Sequence, residues 1–377
     1  MTHQITRIEL EATSIGTSRH LVVHRFGEFG RGPHVYVQAS LHADEAPAML
    51  VAHHLVRMLK SRVNDFKGSA TIVPYANPIG LSQRMLALHA GRGDLGVGGN
   101  FNRRFADLSA ALRSRLAAHA KEQPEDLRQF TRKTLLELAA ALPAPDELSG
   151  LRKTLLQLAL EADYVLDLHT HYEGTVYMYT NVTDPVASDE LGRLSQCRVV
   201  LHDQGAVAMP GQLSLDQACD LAWRSAGEFG VPHGCFTATL EYRGQTDTSD
   251  ALAEADAAAL VQFMIRRGVL SGTPEPLPEP LCEPTPVDAV AHLQAPRPGI
   301  IIHRCAPGDR VAKGDVVAEV VDPAADPDVA RVSVLAPCDG VVIGRPISRI
   351  ARPGLVLASL AANSVDVVPP YNGDPYP

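Results

Sequence analysis

Three β-like runs of this chain end on groups that do chemistry. His34 to Ser40 leads into Leu41-His42-Ala43-Asp44-Glu45, Tyr164 to Leu168 leads into His169, and Thr237 to Tyr242 carries Glu241. A fold that uses all three must lay these runs in one sheet, because sheet proteins gather functional groups where strands end. Two His and one carboxylate, here His42, Glu45 and His169, form a ligand set for catalytic zinc with a fourth position open to water. Glu241 lies outside that set and is available to take a proton from the water. His42 and Glu45 are three apart where a strand gives way to a helix, so both can point to one side of the first turn. HxxE alone is a weak signal, and a lone His is more often structural than a ligand. The pairing of His42 and His169 with strand ends is what strengthens it. His171 competes with His169, since residues two apart on a strand share a face.

The remaining pattern fits a layered α/β sandwich. Strands are expected at His20 to Phe26, Ala70 to Ala76 and Thr175 to Thr180, with helices at 45–60, 214–229 and 249–267. Between about 106 and 163 the leucines fall at helical spacing, as in Leu108, Leu112, Leu116 and Leu151, Leu155, Leu158. This reads as a helical insertion that either packs as core, covers a site or makes a subunit contact. Eight prolines between 271 and 298 mark a stiff, extended segment. Beyond it, Val-rich runs alternate with turn pairs such as Pro307-Gly308, Lys313-Gly314 and Asp339-Gly340, the mark of a small all-β unit. The expected division is a catalytic domain at 1–270, a Pro-rich linker at 271–289 and a β domain at 290–377.

Composition narrows the partners. A net charge of -9 without a basic stripe argues against nucleic acid or an anionic membrane as partner. No apolar run approaches a membrane span. The first residues have no apolar leader core, and six scattered Cys form no CxxC pair, so a reduced cytoplasmic setting is expected.

Between the first two runs lie Asn77-Pro78-Ile79-Gly80, Arg84 and the Gly-rich Gly98-Gly99-Asn100-Phe101-Asn102-Arg103-Arg104. An Asn-Arg pair in such a loop can hold a carboxylate. A phosphate cradle is disfavoured because no GK[ST] follows. In order, spacing and flanks, residues 34 to 247 resemble the succinylglutamate desuccinylase/aspartoacylase family of zinc carboxypeptidase-like hydrolases. The resemblance implies an α/β/α sandwich with a mixed sheet, one zinc ion per chain on His42, Glu45 and His169, and Glu241 as general base. It also implies that Arg84 polarises the scissile carbonyl and that Asn102 and Arg103 hold the substrate carboxylate. Two features depart from the family pattern. Asn100 stands where an Asp often supports the metal histidine, and no residue matches the arginine that reads a side-chain carboxylate in aspartoacylase.

The C-terminal unit resembles the biotinyl/lipoyl-like barrel-sandwich, but residues 316 to 337 contain no Lys, and Lys313 lies in an earlier turn, so no attached cofactor is expected. The reaction implied is hydrolysis of a small N-acyl amino acid or related amide by a homo-oligomer. A metallocarboxypeptidase acting on short peptides would use the same residues. Asp167-Leu168-His169-Thr170-His171 also resembles the DxHxH of amidohydrolases, although it falls mid-chain here. A binding protein with a degenerate site is the non-enzymatic alternative, against which the intact Glu241 argues.

Overall fold

In the computed structural model, which describes residues 2–122, 127–203 and 211–368, the centre is one mixed sheet. Its strands are β1 (His3–Glu9), β2 (His20–Gly27), β3 (His34–Ala39), β4 (Ser69–Val73), β5 (Tyr164–His171), β6 (Val176–Asn181), β7 (Val199–Asp203), β8 (Phe236–Gly244) and β9 (Pro284–Pro286). Among the described residues these nine run in the order β1-β2-β4-β3-β5-β8-β6-β7-β9. The neighbours β4, β3, β5 and β8 are mutually parallel, whereas β1, β2 and β6 enter by antiparallel pairing. β3 and β5 are buried on both faces, which is why they read as nearly unbroken apolar runs.

Alternate residues of these strands feed two cores. Val35, Val37, Leu166, Leu168, Ala238 and Leu240 face α1 (Ala46–Ser61) and a helix at Asp250–Arg266. Tyr36 and Val165 point the other way, into a core with helices at Ser109–Glu122, Leu127–Ala140, Glu147–Leu160 and Leu215–Gly227. The expected helical insertion is thus three helices, and Leu112, Leu116, Leu135, Leu151 and Leu155 are spent on this core. No helix among the described residues is long and apolar enough to cross a membrane.

The expected β unit consists of two small antiparallel sheets. One contains Val290–Gln294, Val356–Ala362, Gly340–Arg345 and Arg310–Val311, and the other contains Arg331–Leu335, Val316–Val321, Gly299–His303 and Ile350–Ala351. The Pro-rich segment is not a free tether. Its Pro284–Pro286 pairs in parallel with β7 as the edge of the main sheet, a place where residues without an N–H are tolerated. A second junction is made by Glu173–Gly174, which pairs with Gly344 and Arg345.

Candidate active site

The site is built on the carboxyl ends of β3, β5 and β8. Leaving β3, the chain turns at Ser40, which takes a left-handed φ of 56° and hydrogen-bonds the Glu45 carbonyl at 2.6 Å through its hydroxyl. This short turn points His42 and Glu45 back over the sheet. Asn77 steadies it by donating to the Leu41 carbonyl at 2.8 Å. Gly91 presses so closely on the turn that a Cβ there would lie 2.2 Å from the Asp44 nitrogen, so only glycine fits. Glu45 heads α1, with Pro47 in the first turn, yet its side chain does not cap the helix. It is turned instead to the two histidines.

His42 Nδ1 lies 3.0 Å from Glu45 Oε1, and His169 Nδ1 lies 2.8 Å from Glu45 Oε2. The ligand atoms of the three buried side chains all fall within 4.8 Å of one another. The opposite ring nitrogens are engaged as well. Asn100 Oδ1 is 2.8 Å from His42 Nε2, and Asp167 Oδ2 is 3.0 Å from His169 Nε2. Asn100 behind His42 Nε2 and Asp167 behind His169 Nε2 orient both rings with Nδ1 turned inward to Glu45, the arrangement that neighbours give to metal-binding imidazoles. Behind Asp167 runs a buried chain: Gln38 donates to Asp167 Oδ1 at 2.9 Å and Tyr36 donates to Gln38 at 2.8 Å. Two imidazole nitrogens and a carboxylate, each oriented from behind, fit zinc in donor type and number.

Charge reinforces the arrangement. Burial opposes ionisation of Glu45, but the two imidazoles outweigh it and hold its pKa well below the usual carboxylate range. Burial likewise disfavours a protonated His169, yet Asp167 and Glu45 together raise its pKa well above the ordinary value. Burial and then the Arg92 cation lower that of His42.

Glu241 sits beside this group because β8 pairs with β5 in the register Glu241↔His169. Immediately after it the ladder slips, with Arg243 in the left-handed region at φ 62°. Such a bulge ends regular pairing next to a site and re-aims its side chains. Burial, helped by the negative charge of Glu45, raises the Glu241 pKa to about 8.

A cavity of about 660 Å³ opens over these residues, lined by His42, His169, Glu241, Asn102 and Arg103 among others. Arg84 is not brought there. It lies exposed on a two-residue strand, donating to the Leu81 and Gln83 carbonyls, because the hairpin at 84–89 turns away from the cavity. Arg92 lines the cavity instead, 3.4 Å from Glu45 Oε1 and stacked over Tyr172 at 5.3 Å. Asn102 is buried and committed: its Oδ1 accepts the Leu215 N–H at 3.1 Å and its Nδ2 lies 3.4 Å from His169 Nε2. Arg103 is half-buried on the wall, with Nη1 donating to the Asn102 carbonyl at 2.9 Å. His171 lines the cavity but stands outside the three-residue group.

Sequence reasoning missed Arg92 and Asp167. Both left a signal: Arg92 is flanked by glycines in Gly91-Arg92-Gly93, and Asp167 is two residues from His169 and so on the same strand face. The helical insertion also reaches the site, since Arg152 donates to the Asn100 carbonyl at 3.0 Å.

Fold and site together define an α/β sandwich whose candidate site lies at the carboxyl ends of its central strands. Residues 31–209 match the model of the succinylglutamate desuccinylase/aspartoacylase catalytic domain, so the part of the chain that carries the candidate site is similar to that hydrolytic family. Two solved structures share the fold over nearly their whole length. One is a protein from Shewanella frigidimarina NCIMB 400 given this family's name, with 22% identity, a TM-score of 0.84, and 96% of this chain and 97% of that one covered. The other, a family protein from Shewanella amazonensis SB2B, has 24% identity, a TM-score of 0.82, and coverage of 96% and 98%. The product-bound ectoine utilization protein EutE (DoeB) from Ruegeria pomeroyi is more distant, at 17% identity and a TM-score of 0.69 over 96% and 94%. No curated protein matches the sequence.

Proposed function

We propose that this chain is a zinc-dependent deacylase that hydrolyses the amide of a small N-acyl amino acid or a related amide. The observation that carries this is the register of Glu241 against His169, which sets a half-buried carboxylate beside the His-Glu-His group in one cavity. His42, Glu45 and His169 hold the zinc, which when bound supplies Lewis acidity and a more acidic water. Glu241 takes the proton from the attacking water and returns it to the leaving amine. Its raised pKa suits both halves of that task, since a group poised near neutrality gives and takes protons readily. Arg92 faces the charge that develops on the carbonyl oxygen, the role the family resemblance lent to Arg84. Arg103 binds the substrate carboxylate, while Asn102 acts through His169 and the helix that begins at Leu215. A cavity of about 660 Å³ accommodates an acyl amino acid more readily than an extended peptide.

The test is a panel of N-acetyl, N-succinyl and N-formyl amino acids and dipeptides, incubated with zinc-loaded protein and read by release of free amine. Turnover of at least one acyl amino acid is expected. In Glu241→Gln, it should fall by about 10²- to 10⁴-fold with zinc retained. Release from the dipeptides alone would replace the deacylase reading with a peptidase one.

A further inference from the structure

His171 closes part of the cavity wall, and it is held from behind by the C-terminal β unit. The strand Gly340–Arg345 of that unit pairs with Glu173–Gly174, placing Gly344 opposite Gly174. A Cβ on Gly344 would meet three ring atoms of His171, each at 2.7 Å, so the imidazole lies flat against that glycine. The φ of Gly344 is outside the left-handed region, so its backbone would admit any residue, and the ring is the first thing a side chain there would meet. A Cβ on Gly174 would likewise lie 2.6 Å from the His171 Cβ. Two glycines that face each other across the junction therefore leave room for one imidazole. The junction is fastened by Glu173, which binds Arg345 Nε at 2.6 Å and also pairs with Arg349. The Thr175 N–H donates to the Ile343 carbonyl at 2.9 Å.

We propose that Gly344 is a positioning residue for substrate selection: the C-terminal unit sets the His171 ring in the cavity wall, and the size of residue 344 decides which acyl amino acids the cavity admits. This rests on the hydrolase reading above. A methyl group at 344 must displace the ring towards the cavity that it lines, because the three atoms nearest to that methyl all belong to the His171 imidazole. His171 has no part in holding the metal, so zinc binding is spared.

The experiment compares Gly344→Ala, His171→Ala and the double variant in the full-length, zinc-loaded protein. Gly344→Ala is expected to raise KM for its best acyl amino acid about tenfold, with a smaller change in kcat and unchanged zinc content. The double variant should show the KM of His171→Ala alone, because the group that residue 344 displaces is gone. Equal losses on all substrates that His171→Ala does not suppress, or loss of zinc, would overturn the proposal, since those mark a merely structural glycine. If the parent protein turns over none of the panel, the hydrolase reading fails by itself. The positioning claim is then read from the ring resonances of 15N-His-labelled, zinc-loaded protein. Gly344→Ala should shift those of His171 and leave those of His34 in place, and an unmoved His171 would overturn it.

Discussion

At the scale of single residues, the site is a set of side chains each given one orientation by a neighbour. His42 and His169 turn the same nitrogen inward because Asn100 and Asp167 occupy the other. His42→Ala and His169→Ala should therefore each lose zinc on elemental analysis, whereas His171→Ala should keep it. Retention of zinc in His169→Ala together with loss in His171→Ala would exchange their roles. The two arginines separate in the same way. Removing a group that faces developing charge costs about 10²- to 10³-fold in kcat, so Arg92→Ala should be slow. Arg84 is exposed and, among the described residues, donates to local carbonyls, so Arg84→Ala should be indistinguishable in turnover and within about 0.5 kcal/mol in stability. A slow Arg84→Ala beside a normal Arg92→Ala would restore the assignment that the family resemblance suggested.

At the scale of elements, β3 carries a pH liability. His34 is buried at its start, with ring nitrogens 2.7 Å from the Ser69 hydroxyl and 3.2 Å from that of Thr71. Burial, then the nearby Arg25 and Arg132, lower its pKa to about 3. The folded state thus keeps this ring neutral while the unfolded chain protonates it near pH 6.5, so stability is full above that value and falls as pH drops towards 3. By linkage, the part lost between pH 7 and pH 5 is about 2 kcal/mol. Denaturant titrations at both pH values should show a steeper loss in the parent than in His34→Gln, and parallel losses would refute this. β3 also shows what a sequence can and cannot disclose. Its apolar run, and the helix after it, follow from periodicity that each element carries within itself. The same holds for β5 and β8, and the ends of these strands locate His42, Glu45, His169 and Glu241. β1 escaped notice because it is an exposed edge strand, His3-Gln4-Ile5-Thr6-Arg7-Ile8-Glu9, which has no buried face to impose a pattern. Arg92 escaped because its partners, Glu45 and Tyr172, lie far from it along the chain and are joined to it only by the fold.

At the scale of the whole molecule, the Pro-rich segment and the β unit are structural members of the enzyme. Tyr177, Val199 and Leu201 from the main sheet share one apolar cluster with Ile343 and Ala361. Pro284–Pro286 covers the edge of β7. Calorimetry should accordingly record one cooperative transition for the full chain, since regions with a common core unfold together. Two separated transitions would mean that the β unit is an independent appendage. Removal of residues 290–377 should lower solubility, because it uncovers Tyr177 and Leu201 and leaves Glu173–Gly174 without a strand to pair with. That last pairing also imposes an order in time. A chain emerging from the ribosome acquires His42, Glu45, His169 and Glu241 when about two-thirds of it has been made, yet Gly344 arrives roughly a hundred residues later. Domains made first generally fold first, so the nascent protein passes through an interval in which His42, Glu45, His169 and Glu241 are already made while the wall behind His171 is still missing. On the role proposed for Gly344, selectivity is the last property this chain acquires during its own synthesis.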